Sequence, residues 1–297
     1  MKKTILVICL AVAAFAAGFV FSKFPCKGES ACAGGVPVKV ASWNLRLLNN
    51  WDKENIWDLR KEQVKALVNY YDFDIWGSQE AFWQQLEYIG KELPQYDIVA
   101  AGRDDGKQAG ETCAIYYKKD RFELLDKGTF WYSETPEVPS LGWDVKEHKR
   151  ICTFAKLRDK NSGKTIVVFN SHFDHIAPYA RAESAKLLLK KMGELDKNTA
   201  VFCMGDFNAF SDSEPMKIMF SSDTFKDSRG LSKKTPYGPE ATFHAFKGFE
   251  PSQKTRIDYI FVNKNNTQVN SYRVISDSNK IKFPSDHFPV FIEAVLK

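Results

Sequence analysis

Apolar, strand-like segments recur between residues 36 and 297, and one after another runs into a carboxylate, an amide or a histidine. Val38–Trp43 runs into Asn44, Ile75–Gln79 into Glu80, and Ile166–Ser171 into His172, with Asp174 two residues on. Val201–Gly205 runs into Asp206-Phe207-Asn208. Strands that share a direction bring such ends to one rim, so the pattern points to sheets that form a body and strand ends that form a polar surface.

Other segments fill in the surroundings. Strand-like runs lie at Thr112–Tyr117, Arg150–Leu157, Arg256–Val262 and Pro289–Val295, and helical patterns at Glu54–Tyr71, Ala81–Leu93 and Ala180–Leu195. The last helix carries Ala182, Ala185, Leu188, Leu189 and Met192 on one side. Two strand pairs read as hairpins, because Arg158–Lys164 is a short turn-rich link and Phe122–Tyr132 follows Tyr117 closely. The class is therefore α/β, with mixed sheets and helices outside them. Asn161–Thr165 resembles the end of a phosphate-binding loop, but Arg158 stands where the first glycine belongs, and a hairpin turn is the simpler reading. No internal repeat is visible.

Residues 1–22 combine Lys2 and Lys3 with an uncharged apolar run, which reads as an export signal or a membrane anchor. Residues 23–35 are a linker and 36–297 a single domain. The expected location is outside the cytoplasm: periplasmic, secreted or anchored, with membrane contact through the N-terminal segment alone. Of the 6 cysteines, Cys9 lies in the leader and Cys26 and Cys32 in the linker. Cys113, Cys152 and Cys203 fall in strand-like segments and read as buried thiols rather than a disulfide framework or zinc site. The net charge of +5 is partly a leader effect: residues 1–33 hold four lysines and one glutamate, and the rest carries +2. So small an excess disfavours a nucleic-acid groove, which needs a concentrated basic stripe.

A lone Asp or Asn at a strand end is ordinarily a turn former. Several together are harder to explain that way, particularly with Asp258 inside the apolar run Arg256–Val262 and Asp286-His287 before Phe288. Burying Asp258 without a partner is costly, and a histidine is its natural partner. Hard oxygen ligands without cysteine suit Mg²⁺, with Mn²⁺ the alternative; a zinc site from His172, Asp174 and His175 is the weaker option. No Gly-x-Ser-x-Gly elbow supports serine chemistry.

These residues resemble the endonuclease/exonuclease/phosphatase superfamily, the deoxyribonuclease I-like proteins that include sphingomyelinases, inositol polyphosphate 5-phosphatases and deadenylases. The motifs are Ser42-Trp43-Asn44, Gln79-Glu80, Asn170-Ser171-His172, Gly205-Asp206-Phe207-Asn208-Ala209, Arg256-Ile257-Asp258-Tyr259 and Ser285-Asp286-His287-Phe288-Pro289-Val290. The resemblance implies a four-layer α/β sandwich: two mixed β-sheets packed face to face, helices outside, and the site at one end. It implies Glu80 as principal metal ligand, Asn44 beside it on metal and phosphate, and Asp286 as a further metal-side carboxylate. It implies His287 as the essential histidine with Asp258 as its partner, and His172 as the second histidine, oriented by Glu111. Asp206 and Asn208 match the pair that positions water and phosphate, and Arg150 a phosphate-contacting arginine for which Lys146, His148 and Lys149 compete.

The implied activity is metal-dependent hydrolysis of a phosphodiester or phosphomonoester by in-line attack of water, in a monomer. The near-neutral body suits a small or lipid-headgroup substrate better than DNA or RNA. A nuclease is the alternative, and a non-catalytic binding protein that keeps the fold is the rival of another class. Phe130, Trp131, Tyr132, Trp143, Phe243, Phe246 and Phe249 are candidates for a specificity pocket, though such residues more often pack a core. Tyr179 and Arg181 are similar candidates, Arg181 with a solvated helix surface as the simpler role.

Overall fold

The computed structural model describes residues 35–248, 255–278 and 282–297. Residues 1–34, which hold the expected leader and nearly all of the expected linker, and Phe249 lie outside them. The strands in chain order are β1 (Val36–Asn44), β2 (Ile75–Gln79), β3 (Tyr96–Val99), β4 (Ala114–Lys118), β5 (Phe122–Trp131) and β6 (Ile151–Asp159). Then come β7 (Thr165–His172), β8 (Ala200–Asp206), β9 (Phe225–Asp227), β10 (Asp258–Asn263), β11 (Thr267–Val274) and β12 (Val290–Leu296). The helices are α1 (Trp57–Tyr71), α2 (Trp83–Glu92), α3 (Pro178–Gly193), α4 (Glu214–Ser221) and the short α5 (Ser228–Leu231). None of the described helices is long and apolar enough to cross a membrane.

Two six-stranded sheets result, ordered β11-β12-β1-β2-β4-β3 and β5-β6-β7-β8-β10-β9. Each is antiparallel except for one central parallel pair, β1 with β2 and β7 with β8. A parallel pair needs a crossover, and α1 and α3 supply them. Val38, Val40 and Ile75 of the first sheet share one apolar cluster with Val168, Phe202, Met204 and Ile260 of the second. On the outer faces, Ala41, Trp43 and Trp76 pack on Val64, Leu67 and Val68 of α1, while Val201 and Phe261 pack on Leu188 of α3 and Met216 of α4. These clusters define the four layers of the expected sandwich.

The period of two along each strand explains why the polar ends meet. Val38 and Val40 face the other sheet, so Asn44 continues the same face; Ile166 and Val168 lead likewise to His172, and Phe202 and Met204 to Asp206. The parallel and antiparallel ladders set His172 opposite Asp206 and Asp206 opposite Asp258. Just below this rim the inter-sheet space turns polar. Asn170 donates to the carbonyls of Ser78 and Ala114 at 2.9 and 2.8 Å and accepts from Gln79 Nε2 at 2.6 Å, tying the sheets together. A glycine permits this close approach, since a Cβ on Gly77 would lie 2.7 Å from Asn170 Cγ; within the second sheet, a Cβ on Gly205 would lie 2.1 Å from the Ser171 carbonyl oxygen of the neighbouring strand.

The hairpin across Arg158–Lys164 forms as β6 and β7. The second expected hairpin does not. Both edges of β4 are taken, by β2 and β3, while β5 pairs with β6, so the chain changes sheets between them. Arg121 fixes the crossing by binding Asp74 of the first sheet's base at 2.8 Å and Asp159 of the second at 2.9 Å. Segments β3, β9, β11 and α4 also escaped the sequence reading. Cys113, Cys152 and Cys203 are buried free thiols.

Candidate functional site

At the rim, Asn44 organises three strand ends. Its Nδ2 donates to Glu80 Oε1 at 2.9 Å and to Asp206 Oδ2 at 3.0 Å, and its Oδ1 accepts from the Arg46 amide at 2.9 Å. The Leu47 amide reaches Glu80 Oε2 at 3.1 Å. Arg46, Glu80 and Asn208 all have left-handed backbones, with φ of 59°, 65° and 45°. That conformation costs a non-glycine residue about 1–2 kcal/mol, and here it turns each chain off its strand so that the polar groups stay at the rim.

Two histidines flank Asp206. His287 Nδ1 and Asp258 Oδ2 are 2.9 Å apart, and His287 Nε2 lies 3.8 Å from Asp206 Oδ2. Burial works against a charge on His287, but Asp258, with Asp206 and Asp286 near it, outweighs burial and raises its pKa to about 10. His172 Nε2 lies 3.7 Å from Asp206 Oδ2 and 3.1 Å from Asn208 Nδ2. Burial, reinforced by Arg150 and Arg103, drives its pKa well below the ordinary histidine value. Burial and the neighbouring Asp258 push Asp206 up to about 7.

The remaining expected residues take less direct places. Glu111 Oε2 stands 3.7 Å from His172 Nδ1, beyond hydrogen-bond reach, and binds Arg103 at 2.6 Å instead. Asp286 is buried 3.8 Å from Arg46 Nε, within electrostatic range of Glu80 and His287, and burial raises its pKa. Arg150 is buried against both ring nitrogens of His172, at 3.2 and 3.1 Å, and binds Asp174 at 3.2 Å and His175 Nδ1 at 2.7 Å. Its competitors point elsewhere or lie further out: Lys149 donates to the Asp104 carbonyl, and His148 stacks 6.3 Å from His175.

Asp174 and His175 are thus engaged by Arg150 rather than grouped with His172 as a metal site. Among the described residues, Glu80, His172 and Asp206 form one group of donors within 4.8 Å, and Asp206, Asp258 and His287 another. In the first, Glu80 and Asp206 offer hard carboxylate oxygens that suit a divalent cation, both held by Asn44 Nδ2, whereas His172 Nε2 faces Arg150 and Asn208. Of the candidate aromatics, Phe130, Trp131 and Tyr132 are core, Tyr132 donating to or accepting from Ser171 Oγ at 2.7 Å. Trp143 packs on Val145 and Ala180, while Phe243 flanks the His287 ring at 4.9 Å. Tyr179 is exposed, and Arg181 is half-buried with a bond to the Asp174 carbonyl. Arg46, Arg60 and Arg103, which the strand-end pattern did not single out, hold the loops that carry the site.

Two sheets with this rim define a deoxyribonuclease I-like fold. Residues 41–287 match the Endonuclease/Exonuclease/phosphatase family, and the chain belongs to it. That family comprises divalent-metal-dependent hydrolases of phosphoester bonds. A solved family protein from Bacteroides thetaiotaomicron is 38% identical, with a TM-score of 0.84 over 89% of this chain and 99% of that one. A mannosyl-6-phosphatase from the same species is 39% identical, with a TM-score of 0.82 over 87% of this chain and 100% of the other. The Ccr4 3'-5'-exoribonuclease subunit of Candida albicans is 25% identical over 301 residues, 81% of this chain but 38% of that protein. The chain spans less than two thirds of the length of the curated relatives it matches first.

Proposed function

We propose that this chain is a Mg²⁺-dependent phosphoesterase acting on a small phosphorylated molecule, with a sugar phosphate the favoured class. The observation that carries the reading is the convergence of Glu80, Asn44 and Asp206 within hydrogen-bond distance, flanked by one cationic and one neutral histidine. The body's charge of +2 without its leader and the likeness to a mannosyl-6-phosphatase support the substrate class.

In this reading Glu80, with Asn44 and Asp286, holds the metal. A divalent ion held there would offset charge on the phosphate oxygens and leaving group. Asp206, whose pKa near 7 suits a base at neutral pH, accepts a proton from the attacking water while Asn208 orients it. The water oxygen bonds to phosphorus, the opposite ester bond breaks in line, and the departing alkoxide takes a proton from solvent. His287, kept charged by Asp258, and Arg150 bind the phosphate oxygens as charge builds. His172 remains neutral and holds Asn208.

A second reading, an exoribonuclease, rests on the Ccr4 relatives, whose similarity runs through most of this chain. One experiment separates the two. The purified protein is given Mg²⁺ or Mn²⁺ and tested on sugar phosphates, phospholipids and RNA, with Asp206→Asn as the blank. Phosphate release from sugar phosphates that EDTA abolishes is expected. RNA degradation without sugar-phosphate turnover would replace this reading with the second, and no turnover at all would favour a binding protein.

A further inference from the structure

Arg60 lies on the sheet-facing stripe of α1, with Trp57, Val64 and Leu67, and is only 2% exposed. Among the described residues its hydrogen bonds all go to main-chain carbonyls. Nε donates to Asn55 at 2.8 Å, one terminal nitrogen to both Leu45 and Pro284, the latter at 3.0 Å, and the other to Arg46 at 2.9 Å. Trp57 and Phe246 cover the guanidinium, with ring centroids 5.3 and 5.8 Å away.

Three of those carbonyls, of Leu45, Arg46 and Pro284, belong to the segments that carry the site. Leu45 and Arg46 directly follow Asn44, where the β1 ladder has ended and the carbonyls have lost their strand partners. Pro284 directly precedes Ser285-Asp286-His287. The turn at Arg46 orients Asn44 and, through the Leu47 amide, Glu80, so whatever fixes the turn fixes both side chains. A planar fork with five donors can serve acceptors on separate segments at once, which an ammonium group cannot match.

We propose that Arg60 is a positioning residue: its guanidinium holds the Asn44–Leu47 turn, and with it Glu80, against the Asp286–His287 segment in the geometry that turnover needs. The proposal rests on the hydrolase reading above. It touches neither substrate nor reacting atoms, so its removal acts on kcat rather than on substrate binding. Misplacement of about 1 Å in such a constellation is enough for a loss near 100-fold.

The test compares Arg60→Met and Arg60→Lys with Val64→Ala, which thins the core under the same helix without touching the turn. Mn²⁺ affinity is measured by electron paramagnetic resonance alongside kcat and KM. Arg60→Met is expected to lower kcat about 100-fold, leave KM within about threefold and weaken Mn²⁺ binding about tenfold, with part of kcat recovered in Arg60→Lys. Val64→Ala should lower the melting temperature and keep kcat and Mn²⁺ affinity. Equal losses in Val64→Ala and the Arg60 variants, or unchanged kcat and Mn²⁺ affinity in the latter, overturn the proposal. If Arg60→Met does not fold, Arg60→Lys against Val64→Ala decides by the same criteria. Absence of turnover in the unmodified protein counts against the hydrolase reading instead, and Mn²⁺ affinity then decides for Arg60 alone.

Discussion

The two histidines of the rim are equally buried and stand on either side of the same carboxylate, 3.7 and 3.8 Å from Asp206 Oδ2, yet they are driven to opposite charge states. Their difference lies in the nearest partner. His287 has a carboxylate oxygen at 2.9 Å, in the buried Asp258, and is held protonated far above neutrality. His172 meets a guanidinium at that range, and its acidic neighbours begin at 3.7 Å, so it is held neutral. Burial alone makes both neutral; the charge-assisted hydrogen bond to Asp258, with Asp206 and Asp286 near it, reverses one of them. The site therefore carries a fixed cation on the β10 side and a neutral ring on the β7 side, an asymmetry suited to binding a phosphate at one and holding Asn208 at the other.

The comparison breaks most directly at its charged member. His287→Ala should lower kcat/KM about 1000-fold, since it removes the cation and leaves Asp258 buried without its partner. A loss under tenfold, in protein whose circular dichroism is unchanged, would show that the cation is not what the phosphate meets. A finer cut leaves the ring and changes its charge. The protonated ring is the competent form, and its fraction falls as pH rises through its pKa, so the unmodified protein should keep its rate to about pH 10. Asp258→Asn should bring that alkaline limb down by several pH units, toward the ordinary histidine value of about 6.5, and cost about 10–100-fold at pH 8. An unmoved limb in the pH–rate profile would assign the charge to some other group.

That asymmetry was only half legible in the sequence. Asp258 could be paired with a histidine because a carboxylate inside Ile257–Val262 demands a partner, and the strand-end pattern placed Asn44, Glu80, His172 and Asp206 on one rim because period-two alternation carries a face to its end. Glu111 stands where a support for His172 is expected, but the sequence could not show that Arg103 would take its hydrogen bond, because Arg103 sits eight residues away in a turn without periodicity. Arg60 did leave a signal: it falls on the apolar stripe of α1 at the spacing of Trp57 and Val64, and a charge on such a stripe has to be bound by something. The β4–β5 crossing had none. A three-residue link after an apolar strand reads as a hairpin, and only the filling of both β4 edges by distant strands rules that out.

The smallest expected effect sharpens the neutral member. If Glu111 served His172 as Asp258 serves His287, Glu111→Gln would lose rate on the scale of Asp258→Asn. Glu111 instead accepts a hydrogen bond from Arg103 Nη1; the Arg103 side chain is buried and its Nε has no partner among the described residues. Burial and Glu80 push Glu111 up to about 7 while Arg103 pulls it down, so the substitution removes a partial charge and weakens a buried contact. Glu111→Gln is therefore expected to lower kcat/KM less than about fivefold while destabilising the fold by about 1–3 kcal/mol, read from urea unfolding. The larger effect falls on stability because the residue supports Arg103, which with Arg150 supplies the positive field that keeps His172 neutral. A rate loss above 50-fold with unchanged stability would make the two histidines equivalent and remove the asymmetry.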